Sequence, residues 1–205
     1  MNEADEQTRT AATSVRPILG GLLIGGGSKR MGRPKSRLMF DDATFGERIV
    51  DVMKKHVTEI HLLGDGPIPR GLADLPRFPD PPNVGGPLAG ILAALRARRG
   101  VGWIIVGCDQ PLITDDALTW LLNQRKPDRL AIMPRMDAER IEPLLAIYET
   151  GILEQAEKLA AQGISRIRKI ALAEGVFMPT PPVELRACWT NVNTPEDYAL
   201  LKPRA

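Results

Sequence analysis

Residues 18–35 read ILGGLLIGGGSKRMGRPK, an apolar run that passes directly into a glycine-rich and basic loop. The apolar run covers residues 18–24 and is followed by three consecutive glycines, Gly25 to Gly27. A short apolar run that stops at glycines is typical of a buried strand that enters a loop. We therefore predict a strand over 18–24 and an irregular loop over 25–35.

Further along the chain, short apolar runs alternate with helical patterns. Strands are predicted over 59–63, 75–78, 101–106, 130–133, 144–148 and 176–178. Helices are predicted over 45–56, 87–99 and 151–161, and two more follow the capping residues Thr114 and Thr194. This alternation favours an α/β fold with three layers, α/β/α, and a mostly parallel sheet. Ligands bind such sheets beyond the carboxyl ends of the strands.

Length and composition are those of a globular protein. The chain has 205 residues, of which 43% are hydrophobic, enough for one sizeable core. We expect a loose, disordered tail over 1–16 and a single domain over 17–205. The 27 basic and 25 acidic residues nearly balance, which excludes a wholly disordered chain. The net charge of +2 argues against nucleic acid as a partner.

Targeting signals and a cysteine framework are missing from the sequence. No apolar run approaches the ~20 residues of a membrane span, and the polar N-terminus has no apolar signal segment. The two cysteines, Cys108 and Cys188, are too few for a disulfide framework or a four-cysteine metal site. We expect a cytoplasmic protein without a membrane partner.

The loop after the first strand combines glycines with cations. Five basic residues lie within nine positions, Lys29, Arg30, Arg33, Lys35 and Arg37. Glycines let backbone N–H groups turn inward on an anion, and the basic side chains add positive charge. A triphosphate is the expected ligand, and the alternative is a solvated basic loop.

Two known phosphate-binding motifs do not match this loop. A P-loop requires Gly-Lys-Ser/Thr, whereas residues 27–29 read GSK in the wrong order. The dinucleotide fingerprint G-x-G-x-x-G requires a third glycine where the chain has Arg30. The loop therefore belongs neither to a P-loop ATPase nor to an NAD site.

Two further loops have unusual composition. Residues 107–111, GCDQP, follow an apolar strand, and the lone Asp109 there could hold a divalent cation that bridges phosphates. The alternative is an aspartate that caps a turn before Pro111. Residues 85–90, GGPLAG, would let a flat ring or a sugar approach closely, or would simply begin a helix tightly.

The chain resembles the molybdenum cofactor guanylyltransferases, which are small-molecule nucleotidyltransferases with a Rossmann-like fold. The signature L-x-G-G-x-x-x-R-M-G-x-x-K begins at Leu23 and ends at Lys35. Agreement continues at four later segments, which are 86–91 (GPLAGI), 108–111 (CDQP), 142–148 (EPLLAIY) and 191–197 (NVNTPED). The resemblance spans roughly residues 18 to 201.

The resemblance implies transfer of GMP from GTP to molybdopterin, with Mg²⁺ as cofactor and release of pyrophosphate. Further partners would be molybdoenzymes or cofactor-handling proteins in transient contact. The implied nucleotide-binding residues are Leu23, Ile24, Gly25, Gly26, Lys35, Asp80 and Asp109. The implied catalytic residues are Arg30, Lys35 and Asp109. Asp109 would bind the metal, with Asn193 or Asn191 as a second ligand of metal or substrate.

Two alternatives share most of these residues. One is a transferase of the same fold that uses CTP or another phosphorylated acceptor. The other is a non-catalytic nucleotide-binding relative. Such a protein would be expected to have lost the lysine or the metal aspartate, whereas Lys35 and Asp109 are both present.

The chain departs from the family pattern at two positions. Ile24 stands where the family usually has alanine. No asparagine follows Leu63, where the family usually has one that touches the nucleotide.

Overall fold

The computed structural model describes residues 16–25 and 31–201. The strands are β1 (Ile18–Leu23), β2 (Met39–Phe40), β3 (Ala43–Thr44), β4 (Ile60–Leu63), β5 (Arg77–Phe78), β6 (Gly102–Gly107), β7 (Ala131–Ile132), β8 (Ala146–Tyr148) and β9 (Val176–Phe177). The α-helices are α1 (Phe45–Met53), α2 (Pro87–Ala97), α3 (Asp115–Leu122), α4 (Leu153–Ala161) and α5 (Pro195–Ala199). Five 3-10 helices cover Lys35–Arg37, Arg70–Leu72, Thr150–Ile152, Ile167–Leu172 and Val183–Trp189.

Seven of these strands form one mostly parallel sheet, in the order β5-β4-β1-β6-β8-β7-β9. β1 is parallel to both of its neighbours, β4 and β6, and β5 is parallel to β4. β8 is antiparallel to β6 and β7, whereas β7 and β9 are parallel. The carboxyl ends of β1, β4 and β6 therefore meet at one edge of the sheet, where a ligand site is expected.

Helices cover both faces of the sheet, so the predicted three-layer α/β/α architecture is confirmed. Alternate residues of a strand point to opposite faces. Leu22 of β1 joins a buried cluster with Ile49 of α1 and Leu118 of α3. Leu23, one position further on, joins a second cluster that includes Leu88 of α2. Burial on both faces is the reason that β1 reads as a continuous apolar run.

The helix caps predicted at Thr114 and Thr194 are confirmed. The Thr114 hydroxyl accepts from the backbone N–H of Ala117 at the start of α3. Thr194 and Asp197 form a reciprocal capping box at α5. These bonds satisfy backbone donors that the first helical turn leaves without partners.

Several element boundaries differ from the prediction. The helix expected over 45–56 ends at Met53. The first two residues of the helix expected over 151–161 belong to the 3-10 turn Thr150–Ile152. The strand expected over 144–148 begins at Ala146, because Leu145 has a φ of 52° that breaks the extended backbone. The hairpin of β2 and β3 was not predicted, since two-residue strands leave no periodicity to detect.

Some predictions fall on residues that the structure does not describe. The tail predicted over 1–16 lies outside the described residues except at position 16. The single domain over 17–205 stays a prediction. Within residues 16–25 and 31–201, no helix has the length and apolar character needed to cross a membrane.

Gly66 is a position where the fold requires the absence of a side chain. A Cβ there would lie 1.7 Å from the carbonyl oxygen of Ile24, at the end of the β1 segment. The added methyl group of Gly66→Ala must therefore move the backbone at residue 66 away from that of Ile24. We expect a loss of about 1–3 kcal/mol in the free energy of unfolding, as for other overpacked sites. Urea unfolding measures this difference.

Gly85→Ala is the matched control, because nothing lies within 4 Å of its would-be Cβ. We expect it to change stability by less than about 0.5 kcal/mol. Equal stability of the two variants would contradict the close approach of the Gly66 loop to β1.

Candidate active site

A cavity of about 250 Å³ opens at the carboxyl ends of β1 and β6. Predicted site residues supply much of its lining, namely Leu23, Ile24, Gly25, Lys35, Asp80 and Asp109. The remaining lining consists of Gly86, Pro87, Gly107, Cys108 and Leu144. Leu23 and Asp109, which are 86 positions apart in the sequence, therefore line the same cavity. Gly26 and Arg30, also predicted as site residues, lie outside the described residues.

Lys35 is the centre of the polar side of this cavity. Its Nζ donates to Asp109 Oδ2 at 3.1 Å and to Asn193 Oδ1 at 2.6 Å. The Lys35 and Asp109 side chains are 16% and 20% exposed, so the ion pair is largely removed from water but open on one side. One ammonium thus joins the turn after β6 to the segment before α5.

Three local structures hold these side chains in place. Lys35 begins the 3-10 helix Lys35–Arg37. The backbone carbonyl of Asp109 accepts from the N–H of Val192 at 2.8 Å, so the C-terminal segment lies against the β6 loop. The N–H of Asn193 donates to Asp197 Oδ2 at 2.9 Å, which extends the α5 capping box to Asn193.

Gln110, which the sequence analysis did not single out, holds the turn after β6. Its Oε1 accepts from the backbone N–H of Gly107 at 3.1 Å, and its side chain is completely buried. The turn-capping role considered for Asp109 therefore belongs to Gln110. The carboxylate of Asp109 instead accepts from Lys35. This contact is consistent with a residue that binds cations.

The two asparagines proposed as second ligands lie in different places. Asn193 bonds to Lys35 and so shares a cation with Asp109. Asn191 donates to Glu142, a carboxyl that is only 4% exposed. Burial raises the pKa of Glu142, while Arg140, at 3.2 Å, and Arg168 lower it. Of the two asparagines, Asn193 is therefore the one that faces Asp109.

Asp80 lines the same cavity, where glycines bring backbone segments together. A Cβ on Gly25 would be 3.6 Å from Asp80 Oδ2, and one on Gly64 would be 3.3 Å from Oδ1. Gly64 has a φ of 91°, which favours glycine. The pKa of the Asp80 carboxyl is raised, first by burial and then by the negative charge of Asp65, while Arg77 lowers it.

Asp65 and Arg77 lie near Asp80 and act on its carboxyl, and both were missed by the sequence analysis. Arg77 Nε donates to the carbonyl of Gly64 at 2.7 Å, and its Nη2 bonds to the Asp65 carboxylate. The pair fixes the turn after β4 against β5. Their 12-residue separation offers no local spacing pattern from which the pairing could be predicted.

The donor set beside Lys35 fits Mg²⁺. Mg²⁺ prefers oxygen ligands and commonly takes one or two carboxylates from the protein, because substrate phosphates and water complete its coordination. Asp109 and Asn193 present such oxygens, and together they already hold one cation, the Lys35 ammonium. Among residues 16–25 and 31–201, no group of three His, Cys, Asp or Glu side chains is arranged to hold a metal.

Solved structures of other proteins share this fold. Molybdopterin-guanine dinucleotide biosynthesis protein A from Archaeoglobus fulgidus superposes with a TM-score of 0.72 at 23% identity, covering 88% of this chain and 95% of that one. A protein of Mycobacterium tuberculosis H37Rv, solved as a complex with manganese, superposes with a TM-score of 0.60 at 18% identity, covering 91% of this chain and 97% of that one. The predicted Rossmann-like nucleotidyltransferase fold is thereby confirmed.

Sequence comparison places the chain in a family. The chain is a nucleotidyltransferase by the family model that it matches. The family model described as "MobA-like NTP transferase domain" matches residues 20–175, so the chain belongs to this family. A probable molybdenum cofactor guanylyltransferase from Bacillus mycoides is 30% identical over 86% of this chain and 92% of its own length.

A second relative is longer than this chain. The molybdenum cofactor biosynthesis bifunctional protein of Synechocystis is 28% identical over 92% of this chain, which spans only 54% of that relative.

Asp109→Ala tests whether the carboxylate serves the reaction rather than the fold. We expect turnover to be abolished, because the variant loses the carboxylate oxygen that accepts from Lys35. We expect the melting temperature to change little, because Lys35 keeps its bond to Asn193 Oδ1 at 2.6 Å and Gln110 still holds the turn.

Asp128→Ala, which removes an exposed carboxylate, is the control for both measurements. Turnover like that of the wild type would remove Asp109 from the mechanism. Loss of the fold would instead restore the turn-capping interpretation.

Proposed function

We propose that the protein transfers the GMP moiety of GTP to molybdopterin and releases pyrophosphate, with Mg²⁺ as cofactor. The observation that carries this proposal is the Lys35 ammonium shared by Asp109 and Asn193 at the mouth of the cavity. The similarity to a molybdenum cofactor guanylyltransferase and to an Archaeoglobus protein of molybdopterin-guanine dinucleotide biosynthesis supports the same substrates. We further propose that the reaction takes place in the cytoplasm and that the product passes to cofactor-handling proteins or molybdoenzymes by transient contact.

In this reaction an oxygen of the acceptor phosphate forms a bond to the α-phosphorus of GTP. The bond between that phosphorus and the bridging oxygen to the β-phosphate breaks, and pyrophosphate leaves with the electron pair. Because the attacking group is already an ionised phosphate oxygen, no strong general base is required. Among the described residues neither histidine lines the cavity, which agrees with that requirement.

The protein contributes alignment and charge. Lys35, only 16% exposed, directs an ammonium into the cavity, where it stabilises negative charge on the phosphates. Asp109 and Asn193 would hold Mg²⁺, which supplies further neutralisation of the phosphate oxygens when bound. Leu23, Ile24 and Gly25 would contact the nucleotide along the end of β1, and Arg30 would add charge from the loop.

Asp80 favours guanine as the base. Guanine presents N1–H and N2–H₂ donors, which require acceptors, and an ionised carboxylate accepts both. Asp80 lines the cavity beside the glycine backbones of Gly25 and Gly64, where a flat ring can approach. Because its pKa is raised by burial, the carboxyl takes up a proton at a higher pH than an ordinary aspartate. GTP affinity should therefore fall as the pH falls through that pKa.

The proposed function is tested by incubating the protein with Mg²⁺, molybdopterin and each of the four nucleoside triphosphates, with pyrophosphate release as the readout. We expect the highest kcat/KM with GTP. Adenine lacks the N1–H donor, and each unmet buried polar group costs ~1–3 kcal/mol, which corresponds to roughly tenfold to hundredfold selectivity. A kcat/KM for CTP equal to that for GTP would favour the cytidylyl alternative. No release with any nucleotide would favour the non-catalytic one.

Asp80→Asn separates base recognition from catalysis. We expect it to lower kcat/KM for GTP by roughly tenfold or more while leaving the much lower value for CTP almost unchanged, because an amide cannot accept from both guanine donors. Asp74→Asn, at an exposed carboxylate, serves as the control. An equal loss with both nucleotides would mean that Asp80 acts on the fold or on the phosphates instead.

Lys35→Ala should reduce kcat more than it weakens nucleotide binding. Charge on the leaving pyrophosphate grows in the transition state, so a lysine aimed at it acts mainly on the chemical step. We expect a loss of ~10²-fold or more in kcat, the scale seen for other charge-stabilising donors. Steady-state kinetics with varied GTP separate kcat from KM.

Lys55→Ala removes an exposed lysine that pairs with Asp115 and is the matched control. If Lys35→Ala raises only the KM for GTP, Lys35 binds the ground state and has no special role in the transition state.

A further inference from the structure

Asp80 follows β5, a strand of two residues at the edge of the seven-stranded sheet. Backbone bonds attach this edge to β4. The N–H of Leu62 donates to the carbonyl of Pro76 at 2.8 Å, and the N–H of Gly64 donates to that of Phe78 at 3.0 Å. An edge strand has a neighbouring strand on one side only. The position of Asp80 therefore depends on how firmly β5 is held against β4.

The two faces of β5 are held in different ways. Phe78 packs on the α2 side of the sheet, where its ring stacks on that of His61 with the centroids 4.7 Å apart. Alternate residues of a strand point to opposite faces, so Arg77 points away from this stack. Its Nε donates to the carbonyl of Gly64 at 2.7 Å, and its Nη2 donates to the carboxylate of Asp65. The guanidinium thus fastens β5 to the turn after β4.

The chain that leads from β5 to the cavity is stiff. Asp80 lies between Pro79 and Pro81, and the ring of a proline fixes its φ angle. Rotation of the backbone can therefore absorb little of a displacement of β5. We expect such a displacement to reach the Asp80 carboxylate in the cavity.

The turn that Arg77 holds lies against the end of β1. Gly64 is buried, and a Cβ there would lie 3.2 Å from the backbone nitrogen of Gly25 and 3.3 Å from Asp80 Oδ1. Gly25 and Asp80 both line the cavity. Through the carbonyl of Gly64, Arg77 therefore holds the residue that both of them approach.

The ion pair also acts on the charge of Asp80. The pKa of the Asp80 carboxyl is raised first by burial and then by the negative charge of Asp65, while Arg77 lowers it. These two side chains come from the turn after β4 and from β5, whereas the end of β1 presents the glycine backbone of Gly25 to the carboxyl. Arg77 therefore favours the ionised form of Asp80 both directly and by neutralising Asp65.

The same pair should contribute little to the stability of the fold. The side chains of Arg77 and Asp65 are 34% and 62% exposed, and ion pairs that water reaches are weak. We therefore expect the contact to matter more for the geometry of the cavity than for unfolding.

We propose that Arg77 is a positioning residue for the base of the nucleotide, because its bonds to Gly64 and Asp65 hold the Asp80 carboxylate in place against the end of β1. This inference rests on the proposed function, since the base is that of GTP. Arg77 is not one of the described residues that line the cavity, so it acts through Gly64 and Asp80 and does not touch the base itself.

The first test measures GTP binding and turnover in Arg77→Ala. We expect the KM for GTP, and its Kd in equilibrium dialysis with Mg²⁺, to rise roughly tenfold, as for the loss of a charged hydrogen bond. The kcat at saturating GTP should stay within about twofold, because Lys35 and Asp109 keep their places. The Kd for CTP should change much less, since cytosine lacks the two guanine donors that an ionised Asp80 accepts.

Two further variants serve as controls for this test. Arg77→Lys keeps the charge but not the planar fork that bonds two acceptors, so it should recover only part of the lost affinity. Arg98→Ala removes an exposed arginine that pairs with Glu59 and lies outside the cavity, and it should behave as the wild type. An unchanged Kd for GTP in Arg77→Ala would overturn the proposal, as would an equal loss for CTP.

The pH dependence of GTP affinity gives a readout that a merely structural role would not move. Affinity falls as Asp80 takes up a proton, and Arg77→Ala should shift the midpoint of this fall to higher pH because the ionised carboxyl loses a favourable cation. Asp65→Asn should shift it to lower pH because a repelling charge is removed, and Arg77→Lys should leave it near that of the wild type. Midpoints that stay fixed, or that move in the same direction in Arg77→Ala and Asp65→Asn, would overturn the proposal. The Asp65→Asn measurement decides alone if Arg77→Ala does not fold.

A double variant tests whether Arg77 acts through Asp80. In the Asp80→Asn background, Arg77→Ala should cost less than about twofold in further GTP affinity, because the group that it positions can no longer accept from both guanine donors. Full additivity of the two losses would mean that Arg77 acts elsewhere.

Dialysis of GTP without molybdopterin distinguishes this inference from the proposed function. If the variants change GTP affinity as expected while the wild type transfers nothing to molybdopterin, the role of Arg77 stands and only the proposed reaction fails. If the wild type transfers GMP and Arg77→Ala binds GTP as well as the wild type, the reaction stands and the role of Arg77 fails. If GTP does not bind the wild type, both fail.

Discussion

The site depends on one ammonium that is held between two oxygens from distant parts of the chain. Lys35 lies 74 residues from Asp109 and 158 residues from Asn193. Without a cation between them, a carboxylate and an amide oxygen facing each other in a largely buried cavity would lack compensation for their lost hydration. The two oxygens are therefore placed to bind a cation. Their bonds to Lys35 fix the end of the basic loop, the turn after β6 and the segment before α5 relative to one another.

Close packing of backbone at the carboxyl end of β1 determines the other side of the cavity. A Cβ on Gly90 of α2 would lie 2.3 Å from Leu23, and one on Gly66 would lie 1.7 Å from the Ile24 carbonyl. These approaches bring α2 and the turn after β4 onto the end of β1. As a result the glycine backbone at Gly25 and Gly64 meets the carboxylate of Asp80, and a flat base could approach the same place.

Local signals were sufficient to predict most of the fold. The apolar runs predicted β1, β4 and β6, and the capping residues Thr114 and Thr194 predicted the starts of α3 and α5. Glycine and charge in the loops drew attention to Lys35 and Asp109. These features depend on neighbours within a few positions, so one sequence contains the information needed to find them.

The missed features depend on contacts between distant residues. Gln110 reads as an ordinary loop residue, and only the bond from the Gly107 N–H shows that it holds the turn. Nothing in the spacing separates Asn191 from Asn193, which face Glu142 and Lys35 respectively. The basic segment Ile167–Leu172 is a 3-10 helix too short to give a helical pattern, so the position of Arg168 near Glu142 was not predicted.

In the reaction that we propose, two phosphate-bearing molecules must come together, so the protein has to offset their mutual repulsion. Positive charge concentrated at a single point would bind one anion and leave the negative charge of the other anion without compensation. The described residues instead place cations at two points, with Lys35 in the cavity at the end of β1 and Arg140 and Arg168 around the buried carboxyl of Glu142. Glu142 accepts from Asn191 and has Arg140 at 3.2 Å. The carboxylate of Glu142 therefore offsets part of the positive charge of the two arginines, which leaves Lys35 as the cation that faces the cavity beside Asp109.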